Sequence, residues 1–209
     1  MKSHRVGLVA FLVPLLFCSS LSAQTDQPLS VQASGLVHQS YDESLRWEWG
    51  GEGQVRWTRG SWSLGAGARY TVSMQNEEDG SAPSFEYHVS TLGLFLEPRL
   101  VFITFWNRFG LYIHARIGVT GISEKESGTS PVLDQMGAPT GILEPFSVEG
   151  TSIAPEANFG PGLLIRLTRR VNLDMGGTVG YARWGERVQG RPGWYEFVGG
   201  RVGLVIGIG

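Results

Sequence analysis

Apolar and polar residues alternate along most of this chain, which is the period-two pattern of a β-strand. The clearest example is LRWEWGGEGQVRWTRG at residues 45–60, where odd positions carry Leu45, Trp47, Trp49, Val55 and Trp57. The even positions carry Arg46, Glu48, Glu52, Gln54 and Arg56. A helix would distribute both sets around its circumference. The pattern therefore predicts a strand with one apolar and one charged face.

The same alternation recurs, and it predicts eight strands: 30–40, 45–58, 61–73, 86–105, 110–122, 153–167, 171–183 and 194–208. The connections after strands two, four and six are short, reading RGS, WNRF and TRR. Those after strands three, five and seven are longer, and include loops at 74–85 and 123–152. Short turns at one end and long loops at the other are typical of an eight-stranded antiparallel up-and-down transmembrane β-barrel.

Two prolines, Pro98 and Pro161, fall inside predicted strands. Proline cannot donate a ladder hydrogen bond, and every strand of a closed barrel has neighbours on both sides. We expect a bulge or bend at each of them.

Alternation alone does not say which face is outside, since a soluble barrel would place the apolar face within. Aromatic residues cluster near the predicted strand ends, as in the girdles of membrane barrels. The predicted girdle comprises Trp47, Trp49, Trp57, Trp62, Tyr70, Trp106, Tyr181 and Trp194. Charged residues of the opposite face are arginines and carboxylates, with almost no lysine, which favours paired groups in a narrow interior. The predicted interior network comprises Arg46, Glu48, Glu52, Arg56, Arg69, Glu97, Arg99, His114, Arg116, Glu156, Arg166, Asp174 and Arg201.

The N-terminal residues predict that the protein is exported. Residues 1–23 have a basic start, an apolar run and small residues ending at Ala23, the layout of a secretory signal peptide. Residues 24–209 then form one barrel domain, with no cysteine, 15 basic and 19 acidic residues. This balance gives no indication of a nucleic-acid partner, and the sequence predicts no cofactor and no metal site.

The hairpin LEPRLVFITFWNRFGLYIHARIGV, the strand count, the loop asymmetry and the export signal together resemble the small eight-stranded outer-membrane barrels, a family typified by the OmpA transmembrane domain and OmpX. The resemblance covers essentially the whole mature chain. It implies an outer-membrane location with periplasmic termini, contact with outer-membrane lipid, folding by the barrel-assembly machinery, and a monomer. One departure is the final segment GLVIGIG, where such barrels usually carry a terminal aromatic residue.

Candidate chemistry is sparse. His88 and Ser90 are two residues apart on one strand face, a weak match to the His/Ser arrangement of lipid A deacylases. The lone histidines His38 and His114 lie on polar faces and are expected to join the interior hydrogen bonds. The acids of the predicted loops are expected to be solvated; they are Glu77, Glu78, Asp79, Glu124, Glu126, Asp134, Glu144 and Glu149.

The sequence thus predicts a non-enzymatic scaffold that presents loops 74–85 and 123–152 to an extracellular ligand of unknown identity. The alternatives are a deacylase-like lipid A-modifying enzyme and a minor narrow pore. Buried ion pairs should matter most for stability, so removing Glu97 is expected to cost more than removing the loop acid Glu124.

Overall fold

A computed structural model of the chain describes residues 26–40, 47–77, 85–133, 137–186 and 192–208. The predicted signal peptide, residues 1–23, lies outside the described residues, as does Arg46. The same is true of Glu78, Asp79 and Asp134.

Within the described residues the chain forms eight strands, each antiparallel to the next, in a closed barrel ordered β1 to β8. Their bounds are β1 Leu29–Ser40, β2 Trp47–Arg59, β3 Trp62–Glu77, β4 Phe85–Phe105, β5 Phe109–Leu133, β6 Pro139–Arg166, β7 Val171–Glu186 and β8 Pro192–Ile208. The predicted fold class is confirmed. No helix among the described residues is long and apolar enough to cross a membrane.

The two ends of the barrel differ. Leu29 pairs with Trp57 on β2 and with Ile208 on β8, so the first and last strands meet beside the short turns. We call this end the turn end and the opposite one the loop end. The β4–β5 turn is built by Trp106 and Asn107, both with φ of 52°.

An apolar belt covers the outside of the barrel. Large side chains such as Leu94 and Ile117 are about 60% exposed, at positions that alternate with buried polar ones. From Trp47 to Trp57 is ten residues, about 33 Å along β2, or roughly 25 Å along the axis at the usual tilt of about 40°. That height matches the apolar band of a membrane barrel.

The prolines interrupt pairing without shifting it. Between β4 and β5 the ladder passes from Leu96–Ile117 to Arg99–His114 in unchanged register, skipping Pro98. Between β6 and β7 it likewise skips Pro161 and resumes in register. The expected irregularity is present, but neither proline carries a bulge. The register shift lies instead between Val101 and Ile103.

The prediction of a long loop at 123–152 is wrong. β5 continues to Leu133 and β6 begins at Pro139, and the two strands pair as an antiparallel hairpin throughout this region, with a register shift between Pro131 and Leu133. Lys125 lies directly opposite Glu149, and their charged groups are 3.3 Å apart. Polar composition suggested a loop, whereas cross-strand pairing satisfies the backbone of both strands regardless of side-chain polarity. The loop predicted at 74–85 is also shorter, since β3 ends at Glu77 and β4 begins at Phe85.

Candidate functional site

The centre of the barrel interior is Glu97 of β4, whose side chain is fully buried. Its carboxylate accepts hydrogen bonds from Arg56 at 2.5 Å, Arg116 at 2.6 Å and Arg201 at 2.9 Å. Arg99 approaches the same carboxylate at 3.2 Å. These arginines come from β2, β5, β8 and β4, so one acid connects four strands of the described barrel.

Two further acids complete the central layer. Asp174 of β7 accepts hydrogen bonds from Arg99 at 2.9 Å, from the Tyr112 hydroxyl at 2.6 Å and from the Gln32 amide at 2.5 Å. Glu52 of β2 receives both terminal nitrogens of Arg116, at 2.8 and 3.1 Å. This two-point contact is the geometry that an arginine fork offers and a lysine does not.

A second group lies nearer the loop end and joins β3 to β6. Arg69 donates to both carboxylate oxygens of Glu156. The same carboxylate accepts from Thr120 at 2.8 Å and from the Asn158 amide at 2.9 Å. Glu48, also predicted for the interior, is buried and accepts from the Thr71 hydroxyl at 3.1 Å.

Buried charges of both signs fill the described interior. The buried arginines are Arg56, Arg69, Arg99, Arg116 and Arg201, and the buried carboxylates are Glu48, Glu52, Glu97, Glu124, Glu156 and Asp174. Burying a charge is costly unless it is paired and hydrogen-bonded, and here each arginine contacts a carboxylate. The network can therefore cross-link the barrel wall without requiring a bound ion.

Buried apolar clusters lie toward both ends of the interior. Near the loop end, Val89, Ile122, Ala154, Ala182 and Phe197 form one buried cluster. Near the turn end, Val101, Tyr112, Leu164 and Val205 form another. A space of about 10 Å³ beside His114 and Arg201 is close to the volume that one water needs. The described interior is a packed core.

The sequence did not single out three participants. Tyr112 binds Asp174, and the Arg99 guanidinium lies 4.1 Å from the centre of its ring. Gln32 binds Asp174, and Phe95 packs 3.8 Å from the Arg116 guanidinium. Their strand parity was a usable signal, because Phe95 alternates in step with the inward-facing Glu97.

Glycine makes room for the tyrosine. A Cβ at Gly162 would collide with the Tyr112 ring, so the residue opposite Tyr112 in the β5–β6 ladder must lack a side chain. The narrow interior of an eight-stranded barrel thus explains part of the high glycine content.

Several predicted positions differ in the structure. Arg166 lies at the turn end, where it pairs with Asp26 at 2.6 Å in a partly exposed position. Glu124, expected to be a solvated loop acid, is buried and accepts a hydrogen bond from the Tyr87 hydroxyl at 2.8 Å. Sequence reasoning assigned it to a loop because it missed the extension of β5.

The described histidines lie on opposite faces of the barrel wall. His88 and Ser90 alternate with the buried residues Val89 and Thr91, so they face outward and not toward the interior mouth. No hydrogen bond joins them within the described chain. His38 packs 5.0 Å from the Phe197 ring. His114 is buried beside Tyr112 as predicted, but its Nδ1 atom has no hydrogen-bond partner among the described residues, so the expected hydrogen bond is not formed there.

The predicted girdle residues lie on the outer surface at the two ends of the belt. Those that the structure describes are half or more exposed, apart from Trp62, which is slightly less so: Trp47, Trp49, Trp57, Trp62, Tyr70, Trp106 and Tyr181. The side chain of Trp194 lies outside the described residues. Among the described residues, no cluster of histidine, aspartate and glutamate is arranged to hold a metal ion.

A closed antiparallel ring of eight strands, a charged packed interior and an apolar exterior define a small membrane β-barrel of the outer-membrane type. Solved structures of small barrels are similar to this chain. Neisserial surface protein A matches with a TM-score of 0.54 and 15% identity, over 87% of this chain and 97% of that one. Ail of Yersinia pestis, crystallised with the heparin analogue sucrose octasulfate, matches with a TM-score of 0.49 and 12% identity, over 85% and 96%.

The resemblance to the small eight-stranded outer-membrane barrels is thereby confirmed at the level of the fold. No protein-family model matches the chain, and no curated protein matches it either.

Proposed function

We propose that this protein is a non-enzymatic, monomeric outer-membrane scaffold whose β5–β6 hairpin binds an extracellular partner. The observation that carries the proposal is strand length. β5 has 25 residues and β6 has 28, whereas a tilted strand crosses the membrane with about 9–11. More than half of this hairpin is therefore surplus to membrane crossing, and projects from the loop end.

The projecting part of β6 has an open edge. β7 pairs with β6 only from Glu156 onward, so residues 139–155 have β5 on one side and no described strand on the other. Between Pro145 and Pro155 this edge contains neither proline nor lysine, the residues that usually protect an edge from pairing. An extended segment of another protein can add to such an edge through backbone hydrogen bonds.

Side chains of the projecting hairpin favour a partner that is apolar and basic. Ile142, Leu143, Val148 and Ile153 are exposed, the last of them by 77%. Glu144 and Glu149 supply negative charge on the same strand. A partner strand that carries both apolar and basic residues would complement this surface.

The interior and the histidines support this proposal over its alternatives. Buried apolar clusters toward both ends of the interior, with paired charges between them, disfavour a steady ion path. His88 and Ser90 make no hydrogen bond to each other in the described chain, so they lack the contact that activates a serine nucleophile.

Binding of a strand-forming peptide tests the proposal. We suggest the nine-residue probe Lys-Val-Thr-Val-Lys-Val-Thr-Val-Lys, with the same peptide N-methylated at every peptide bond as a control, so that neither of its edges can donate a ladder hydrogen bond. The refolded barrel should bind the first and not the second, because only the first can extend the ladder. Replacing residues 124–150 by Asn-Gly, which joins the paired residues Ser123 and Thr151, should weaken binding while the barrel still folds.

Two proline variants locate the contact more sharply. Successive backbone N–H groups of a strand point to opposite edges, so Ser147→Pro and Val148→Pro affect different sides of β6. One should disturb the β5–β6 ladder, and the other should reduce peptide binding alone. Equal binding by the native barrel, both proline variants and the shortened hairpin would refute the proposal.

A further inference from the structure

The turn end of the barrel carries a strongly basic surface. Its described arginines are Arg59, Arg108, Arg166, Arg169 and Arg170, against one carboxylate, Asp26. Arg166 is paired with Asp26. The other four are exposed and form no ion pair within the described part of the chain, so they are available to an external anion.

Backbone contacts place most of these arginines on neighbouring turns. The Arg166 N–H donates to the Arg108 carbonyl at 2.7 Å, which joins the β4–β5 turn to the end of β6. Asp26 donates to the Arg169 carbonyl at 3.3 Å, and Gly207 donates to the Arg170 carbonyl at 2.7 Å. The charges therefore lie around the rim of the barrel.

The rim also presents a strained tryptophan. Trp106 has φ of 52° and is 82% exposed. Left-handed backbone is costly for a bulky residue, and such strain persists only where the surrounding structure imposes it. Phe105 and Phe109 stack at 5.2 Å and both contact the Trp106 ring edge-on. The turn thus holds an aromatic ring outward, next to Arg108.

The depth of this surface indicates its partner. Arg59 follows the girdle residue Trp57 by two positions, and Arg108 follows Trp106 by two, so the guanidinium groups lie at the border of the apolar belt. Interfacial tryptophans occupy the headgroup level of a bilayer. A soluble partner would have to approach the membrane surface itself, whereas lipid phosphates are already at this depth.

The loop end has the opposite charge. Its described carboxylates that are at least partly exposed are Glu86, Glu126, Glu144, Glu149 and Glu196. The cation among the described side chains there is Lys125, paired with Glu149. Among the described side chains, the basic surface able to attract anions is therefore the one at the turn end.

We propose that the turn end binds the phosphate headgroups of anionic phospholipids, such as phosphatidylglycerol, in the leaflet it meets. Guanidinium groups bind phosphate oxygens in pairs, and Trp106 fixes the rim at headgroup depth. This inference rests on the proposed membrane placement but is independent of any partner of the β5–β6 hairpin.

Electron paramagnetic resonance with spin-labelled lipids tests the proposal. The barrel is reconstituted in phosphatidylcholine vesicles with a trace of spin-labelled phosphatidylglycerol or phosphatidylcholine. At low salt we expect about fivefold tighter association of the glycerol lipid, the factor that corresponds to one arginine–headgroup contact. The preference should fall when salt is raised, because exposed charges are screened.

Arginine substitutions test whether the turn-end arginines cause the preference for the glycerol lipid. Combined Arg59→Gln, Arg108→Gln, Arg169→Gln and Arg170→Gln should bring the ratio close to one, and Arg169→Gln with Arg170→Gln alone should give an intermediate ratio. Lys125→Gln, a charge change at the other end, should leave it unchanged. Insertion is checked by a heat-dependent gel shift. If the chain inserts normally but shows no lipid preference, or a preference that survives the four substitutions, the proposed lipid-binding surface is wrong and the membrane placement still holds. Failure of the native chain to insert would overturn the membrane placement as well.

Discussion

The barrel interior and the projecting β5–β6 hairpin are built on the same kind of antiparallel ladder, but their ion pairs lie in different environments. In the interior, Glu97 contacts four arginines from different strands and has no exposed surface. In the hairpin, Glu149 has one partner, Lys125, and both side chains are more than half exposed. The paired glutamate therefore has several partners and no exposed surface in the interior, but a single partner and solvent contact in the hairpin.

The two regions therefore have different roles: the interior stabilises the barrel, and the hairpin is accessible to a partner. When the buried Glu97 is lost, four arginines lose a shared partner and Arg56 keeps no carboxylate contact among the described residues, whereas an exposed pair is replaced by water. The interior can therefore hold the wall rigid while the hairpin leaves an edge and apolar side chains available. The comparison yields four tests, given from the largest expected effect to the smallest.

Glu97→Ala should lower the free energy of unfolding by about 3–5 kcal/mol, because four arginines lose a shared partner. Glu144→Ala, on the exposed hairpin, should change it by about 0–1 kcal/mol. Urea unfolding in detergent micelles measures both. Glu124 is no longer a suitable exposed control, since it is buried against Tyr87. Equal losses for Glu97→Ala and Glu144→Ala would contradict the distinction between the regions.

Tyr112→Phe should cost about 1–3 kcal/mol, because it removes the hydroxyl donor of Asp174 and leaves that buried carboxylate short of one bond. Tyr181→Phe, which removes a hydroxyl from the outer surface, is the matched control and should be nearly neutral. The same unfolding assay applies. A neutral Tyr112→Phe would show that the remaining arginines fully compensate Asp174.

Gly162→Ala should destabilise by about 1–3 kcal/mol, because the added methyl group displaces the Tyr112 ring. Gly177→Ala places its Cβ at an ordinary distance of 3.9 Å from the Pro161 carbonyl and should be tolerated. Thermal unfolding followed by circular dichroism distinguishes them. Similar midpoints for the two variants would argue against steric control at Gly162.

Glu149→Ala should have the smallest effect, about 0.2–1 kcal/mol, through loss of the cross-strand pair with Lys125. Raising the salt concentration should reduce the difference between native and variant, since the pair is exposed. A salt-independent loss of several kcal/mol would place this pair in a buried environment and remove the contrast with Glu97.

Period-two alternation predicted the eight strands of the barrel. The aromatic residues at the strand ends and the lysine-poor charged face then predicted the inward position of residues such as Arg116 and Asp174. The alternation works because one-residue slips would expose the charged face to lipid, so the sequence must keep strict parity within the membrane. Outside the membrane that constraint disappears. Both faces of the hairpin meet water, the alternation weakens, and residues 123–152 consequently resembled a loop.

The partners within the network were not predictable from sequence. Parity places Glu97 and Arg201 on one face but does not fix the barrel shear, which decides the height at which β4 and β8 meet across the interior. For the same reason the convergence of Tyr112, Gln32 and Arg99 on Asp174 became visible only in three dimensions. The basic rim was hidden too, because its arginines belong to turns far apart in sequence.

Apart from Lys2, Lys125 is the chain's single lysine, and it stands at the base of the projecting hairpin with its side chain about half exposed. Primary-amine reagents should therefore modify the strand region at one position. When intact cells are treated with such a reagent that does not cross membranes, only residues on the cell exterior react. Labelling of Lys125 would then show that the hairpin lies on the outside of the cell.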